Sequence, residues 1–165
     1  MDKALQQCVA EVQAISAVPD IMITLSELTG LRFICVAHVT ETSWTACAVM
    51  DQLNFGLKPG DPLDVTTTLC EDVRDTGLAI VIDSIDDSPL YRGHPTALMY
   101  GLKSYFSLPL FRPCGAYFGT LCGLDPNPAS LSNKTTVATM RLFAELISKQ
   151  LQTATDAARS AALAA

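Results

Sequence analysis

Residues 103–125 read KSYFSLPLFRPCGAYFGTLCGLD, two apolar, β-rich runs on either side of Arg112-Pro113-Cys114-Gly115. Proline in the second place and glycine in the fourth suit a type I turn, so the stretch is expected to form a hairpin. Side chains alternate between the faces of a strand. Tyr105 and Ser107 therefore share one face, and Phe106, Leu108 and Leu110 the other. In the partner run Thr120, Cys122 and Leu124 alternate with Leu121 and Gly123. One face is uniformly apolar and is expected to pack on helices. The other is mixed, which suits either the wall of a pocket or a half-polar sheet face under a helix.

Working outward, residues 2–16 place Leu5, Cys8, Val12 and Ile15 at helical steps, and Pro19 is expected to interrupt that helix. A second helix, DIMITLSELTG, is expected to start at Asp20 and stop at Gly30. RFICVAHVT and WTACAVMD, separated by Glu41-Thr42-Ser43, read as a second hairpin. Residues 52–65 are turn-rich and read as a loop. TTTLCEDVRDTG reads as a short helix ended by Gly77, LAIVIDS as a buried strand, and DDSPLYRGHPTALMYG as a loop entering a helix with Pro95 in its first turn. A long helix is expected from Lys134 onward. This order predicts an α+β fold with a mostly antiparallel central sheet of about five or six strands. The terminal helices belong on one face and a ligand pocket on the other. The chain reads as one domain over 1–165: N-terminal helices in 1–30, sheet and pocket in 31–128, and a C-terminal helix in 134–165.

A net charge of −6 argues against a nucleic-acid surface, which needs a basic patch. No apolar run approaches the roughly 20 residues that span a bilayer. The N-terminus lacks the apolar centre of a signal peptide, so a cytoplasmic location is expected. The six cysteines include no Cys-x-x-Cys pair, and several lie in apolar runs (FICVA, TACAV, GTLCGL) where a thiol behaves as a small hydrophobe. The two histidines make no case for a metal site. His38 falls on the strand face opposite Phe33, Cys35 and Ala37, which suits a core or helix-facing role. His94, beside Tyr91, Arg92 and Tyr100, either faces a ligand or sits at a loop rim bonded to backbone. Thr66, Thr67 and Thr68 either cap a helix or hold an anionic group at its N-terminus. Asp83, Asp86 and Asp87 read as a solvated acidic turn.

The last helix carries two apolar stripes. Val137, Met140, Ala144, Ile147, Leu151, Ala154, Ala158 and Ala161 have coiled-coil spacing, so this stripe is expected to meet a second copy of the chain. Leu142, Phe143 and Leu146 are expected to face the sheet.

In TTTLCEDVRDTG, VIDSIDDSPLYRGHPTALMYGLKSYFSLPLF and AYFGTLCGLDPNP the sequence resembles a GAF domain, and the resemblance spans about residues 5–155. It implies a sensory module that binds a small molecule, is not itself an enzyme, and sits upstream of a histidine kinase or a cyclic-dinucleotide enzyme. The implied ligand-binding residues are His94, Tyr91, Tyr105, Ser107, Thr120, Cys122, Cys70 and Thr68. The sequence is also similar to bilin-binding GAF domains, which often carry Cys-His opening a helix ahead of a strand. Here Gly93 precedes His94, so no covalent bilin is expected and the cofactor stays unassigned. Alternatives that the resemblance admits are a bilin or haem held by His94 without a thiol anchor, and reduction of free methionine sulfoxide by Cys35, Cys70 and Cys122. A fourth is a dimerisation element with a filled pocket. Expected partners are the small molecule, a second copy joined through terminal helices, and a downstream output domain, with neither nucleic acid nor membrane insertion.

Overall fold

The computed structural model describes residues 3–63, 73 and 76–164, with backbone only beyond Leu151. Its helices are α1 (Lys3–Gln13), α2 (Val18–Thr29), α3 (Pro95–Tyr100) and α4 (Lys134–Ala164). Its strands are β1 (Phe33–Val39), β2 (Trp44–Asp51), β3 (Pro62–Leu63), β4 (Ile80–Ile82), β5 (Ser104–Phe111) and β6 (Tyr117–Asp125). They form one six-stranded sheet in the order β3-β2-β1-β6-β5-β4, with every neighbouring pair antiparallel. The β5–β6 hairpin forms as its turn residues require, with the Gly115 N–H donating to the Arg112 carbonyl at 2.8 Å. Gly115 adopts φ +87°, a left-handed conformation that glycine takes without strain.

The strand expected to be buried over LAIVIDS is the three-residue edge strand β4, with Ile80 and Val81 half-buried and Leu78 69 % exposed. Two further readings differ from the sequence expectation. Pro19 opens α2 instead of separating the helices, because a proline in the first turn forfeits only an N–H with no intrahelical partner. The chain breaks earlier, around Ser16 and Ala17, and α2 ends at Gly30 as expected. The loop assigned to 52–65 contains β3, a two-residue edge strand that pairs Leu63 with Trp44 and Pro62 with Thr45. So short a strand has no alternation to detect. The helix expected at 66–76 lies outside the described residues, apart from Val73 and Thr76.

The sheet separates two cores. Phe106, Leu108, Leu110, Ile34, Val36 and Leu121 pack with Val12, Ile15, Leu25, Met140, Ile147 and Leu151 of the terminal helices. The stripe on α4 expected to meet a partner is thus the one that faces its own sheet. Met140, Ile147 and Leu151 are completely buried and Ala144 nearly so, whereas Leu142 is 65 % exposed and Leu146 38 %. Phe143 packs toward the core as expected. The same holds at the N-terminus, where Cys8, Val12 and Ile15 join this core. Helical periodicity marks the stripe that is buried; it does not say against what.

Two carboxylates that lie between elements hold the frame. Asp125 closes β6 and accepts from Arg32 Nε at 2.9 Å, Arg32 Nη2 at 3.0 Å and the Arg32 backbone N–H at 3.0 Å. Burial works to raise the Asp125 pKa, but the Arg32 hydrogen bonds, the Asn127 N–H and the Arg32 charge outweigh it and hold the carboxyl below its usual range. Asp83, read from the sequence as solvated, instead accepts from the N–H groups of Leu131 and Ser132 and from Ser132 Oγ. It ties the end of β4 to the segment that enters α4. Asp86 pairs at the surface with Lys103.

Candidate functional site

The second core lies on the sheet face away from the terminal helices, and strand register sets its layout. Across the middle of the sheet run Val49, Cys35, Cys122, Ser107 and Ile80, each opposite the next. The next row holds Ala46, Ala37 and Thr120. At one end stand Phe33, Leu124, Tyr105 and Ile82, and at the other Leu63, Trp44 and Val39. The centre of this face is a floor of small side chains (alanine, cysteine, serine, threonine) between ends that carry aromatic rings. Ser107, Thr120, Cys35 and Ala37 are fully buried.

The cover comes from the far side of the chain. Ile85, Ala97 and Leu102 are buried in this core, and Tyr91, Tyr100, Leu53 and Leu57 pack partly against it. Phe55 meets the Phe33 ring edge-on at 5.4 Å and Tyr100 at 6.4 Å, joining the loop after β2 to α3.

Tyr105, Ser107, Thr120 and Cys122 thus come together on one face, with Tyr91 and His94 at its cover. Cys70 and Thr68 lie outside the described residues. His94 is half-buried and caps α3: its Nδ1 accepts the Thr96 N–H at 3.1 Å, and its ring lies 5.9 Å from that of Tyr91. An accepting Nδ1 places the hydrogen of the neutral ring on Nε2. Of the two roles open in the sequence, the backbone bond is the one present.

Trp44 was not among the sequence candidates. It is 3 % exposed, packs in this core, and its buried Nε1–H has no hydrogen-bond partner among the described residues. The alternation of Trp44 with Ala46 on the partner of the Cys35 strand was a usable signal for its face.

The titratable groups on the helix side are committed to one another. Arg112 pairs with Glu11 at 2.9 Å, lies 3.8 Å from Cys8 Sγ and stacks 5.0 Å from the Phe118 ring. His38 lies there, as its strand position implied, bonded through Nδ1 to the Phe118 carbonyl at 2.7 Å. Burial lowers its pKa, and the Arg112 charge adds to that, against the opposing Phe118 bond and Glu11 charge. Burial also pushes the Cys47 thiol up to about 12. Among the described residues no group of three or more His, Cys, Asp or Glu side chains can hold a metal ion. An open groove of about 550 Å³ between β5 and α4, lined in part by Leu78, Phe111, Arg141 and Lys149, includes none of the sequence-derived site residues.

The GAF domain family model matches residues 1–151. The chain belongs to the GAF domain family. The GAF fold accounts for the six-stranded antiparallel sheet with terminal helices on one face. Solved structures agree at the level of fold. The chromophore-binding domain of an unusual bacteriophytochrome from R. palustris aligns at TM-score 0.65 and 14 % identity, over 94 % of this chain and 62 % of that one. A free methionine-R-sulfoxide reductase from Neisseria meningitidis in complex with its substrate aligns at 0.63 and 18 % identity, over 95 % of each chain. The GAF domain from an Acinetobacter phosphoenolpyruvate-protein phosphotransferase aligns at 0.64 and 10 % identity, over 96 % of this chain and 99 % of that one. No curated protein matches the sequence. No single helix among the described residues is long and apolar enough to cross a membrane.

Proposed function

We propose that this GAF domain is a regulatory small-molecule-binding module of a cytoplasmic bacterial signalling protein, with no catalytic role of its own. The observation that carries the reading is the floor of small, partly polar side chains on the face opposite the terminal helices, roofed by α3 and its preceding loop. Tyr105, Ser107, Thr120 and Cys122 would contact the ligand from the sheet, and Tyr91 and His94 from the cover. α1, α2 and α4 pack on the other side of the same strands. A ligand that favours one strand spacing therefore biases the helices, which pass that bias to an output domain such as a histidine kinase or a cyclic-dinucleotide enzyme. Ile23, Leu28, Leu142 and Leu146 give the terminal helices exposed apolar residues on which a homodimer can form. Gly93 before His94 leaves a bilin no thiol at that position. Native mass spectrometry of freshly purified protein, followed by His94→Asn, which keeps a side-chain acceptor for the Thr96 N–H, and Tyr105→Phe, tests the reading. A retained mass that both variants lose, with little change in melting temperature, is the expected result. Unchanged retention in both would remove these residues from the site.

One observation favours a second reading. Cys35 and Cys122 lie directly opposite each other in the register of this face. Two thiols can reduce a sulfoxide to a thioether, with loss of water and formation of a disulfide. The structural neighbours include free methionine-R-sulfoxide reductases. Methionine formed from free methionine-R-sulfoxide with dithiothreitol as reductant, and abolished by Cys122→Ser, would establish that reading in place of the first.

A further inference from the structure

The small-residue floor ends at Trp44, whose indole is 3 % exposed and whose Nε1–H has no hydrogen-bond partner among the described residues. Buried donors are almost always paired, because an N–H taken out of water without a partner costs free energy. A buried donor without an acceptor among the described residues, beside a floor of alanine, cysteine, serine and threonine, marks a place where something else supplies the acceptor.

The charges around this face narrow the chemistry. Among the described residues the buried carboxylates, Glu11 and Asp125, are held by Arg112 and Arg32. Asp51, opposite Phe33, accepts the N–H groups of Leu53 and Gly56 with its two oxygens. No described Lys or Arg is buried. The polar groups on the floor are neutral hydroxyls and thiols. A ligand entering with a full charge would lose its hydration with no buried counter-charge among them.

Resting on the reading of this face as a ligand site, we infer that its ligand is a neutral, largely apolar molecule whose carbonyl-type oxygen accepts the Trp44 Nε1–H. Trp44 is then the residue that sets ligand orientation, with the apolar body of the molecule lying over Ala46, Ala37 and Cys35.

Trp44 is the sole tryptophan of the chain, so its indole N–H gives one side-chain resonance. The test titrates the purified protein and Trp44→Phe with cyclohexanecarboxamide, ethylcyclohexane and cyclohexanecarboxylate, following the indole resonance and calorimetric affinity. The amide is expected to saturate, to move the indole N–H downfield as a new hydrogen bond does, and to bind roughly tenfold more weakly to Trp44→Phe. Ethylcyclohexane should bind both proteins within about twofold, and the carboxylate about tenfold more weakly than the amide. Melting temperatures of both proteins report any folding defect, and the ethylcyclohexane arm controls for the ring volume that Trp44→Phe removes together with the N–H. Equal amide affinity in the two proteins, or tighter binding of the carboxylate, overturns the inference and leaves the ligand site standing. Absence of saturable binding by all three probes in the parent protein overturns the site reading and the inference together.

Discussion

At the residue scale the sharpest constraint is Gly119. A Cβ built there would lie 1.8 Å from the Ala37 carbonyl oxygen, so the strand crossing requires glycine for closeness and not for an unusual φ. Gly119→Ala is expected to cost about 3 kcal/mol in urea unfolding, since backbone has to move. Thiol reactivity follows burial. Cys114 is exposed and should alkylate rapidly, while Cys8, Cys35, Cys47 and Cys122 should stay protected until denaturant is added, as peptide mass spectrometry would show. Among the described residues, His38 and Asp125 have shifts that bear on the acid side of the stability curve. His38 has its pKa lowered by burial, so the unfolded chain binds its proton first. Its contribution is full above about pH 6.5 and is lost as pH falls through its lower folded value. Asp125, held low by Arg32, contributes fully above about pH 3.9 and loses that contribution as pH falls through its own folded value. Asp125→Asn should lower stability at neutral pH by about 2 kcal/mol and flatten the lower limb, leaving the upper one in place. Denaturant titrations at a series of pH values separate the two.

At the scale of elements α4 decides most. Met140, Ile147 and Leu151 are completely buried against the sheet, and Leu142 and Leu146 are exposed. Ile147→Lys should therefore destabilise the domain itself by about 4 kcal/mol, because it buries an unpaired charge. Leu142→Lys together with Leu146→Lys should leave chemical stability within about 0.5 kcal/mol of the parent. α3 is anchored differently. Pro95 starts it, the His94 ring caps it, and Gly101 at φ +67° ends it. A helix of six residues is too short to persist alone, so its place depends on Thr96 and Ala97 packing inward. Leu98 and Met99 on its outer side are 74 % and 61 % exposed.

At the scale of the whole molecule the sheet works as a partition. One side is a closed apolar core shared with three helices, and the other carries the small-residue floor and its cover. The dimer proposed through the terminal helices predicts a light-scattering mass near twice 17.7 kDa for the parent at high micromolar concentration. The Leu142→Lys, Leu146→Lys pair should return that mass to a monomer with the fold intact. A parent that is already monomeric would remove helix-mediated dimerisation as the output route.

The strands and their faces were legible in the sequence because alternation is local. Tyr105/Ser107 against Phe106/Leu108 needs only the period of two, and it decides which side meets the helices. The turn at Arg112–Gly115 and the proline opening α3 were legible for a similar reason, since backbone preferences act over a few residues. The destination of the buried stripe on α4 was not, because two stripes at helical spacing look alike until the sheet claims one. The roles of Asp83 and Asp125 were equally hidden: their partners lie 48 and 93 residues away. The unpaired Trp44 donor is a tertiary fact of the same kind. A sequence records that a tryptophan is present, but only its packing shows that none of the described residues accepts its hydrogen.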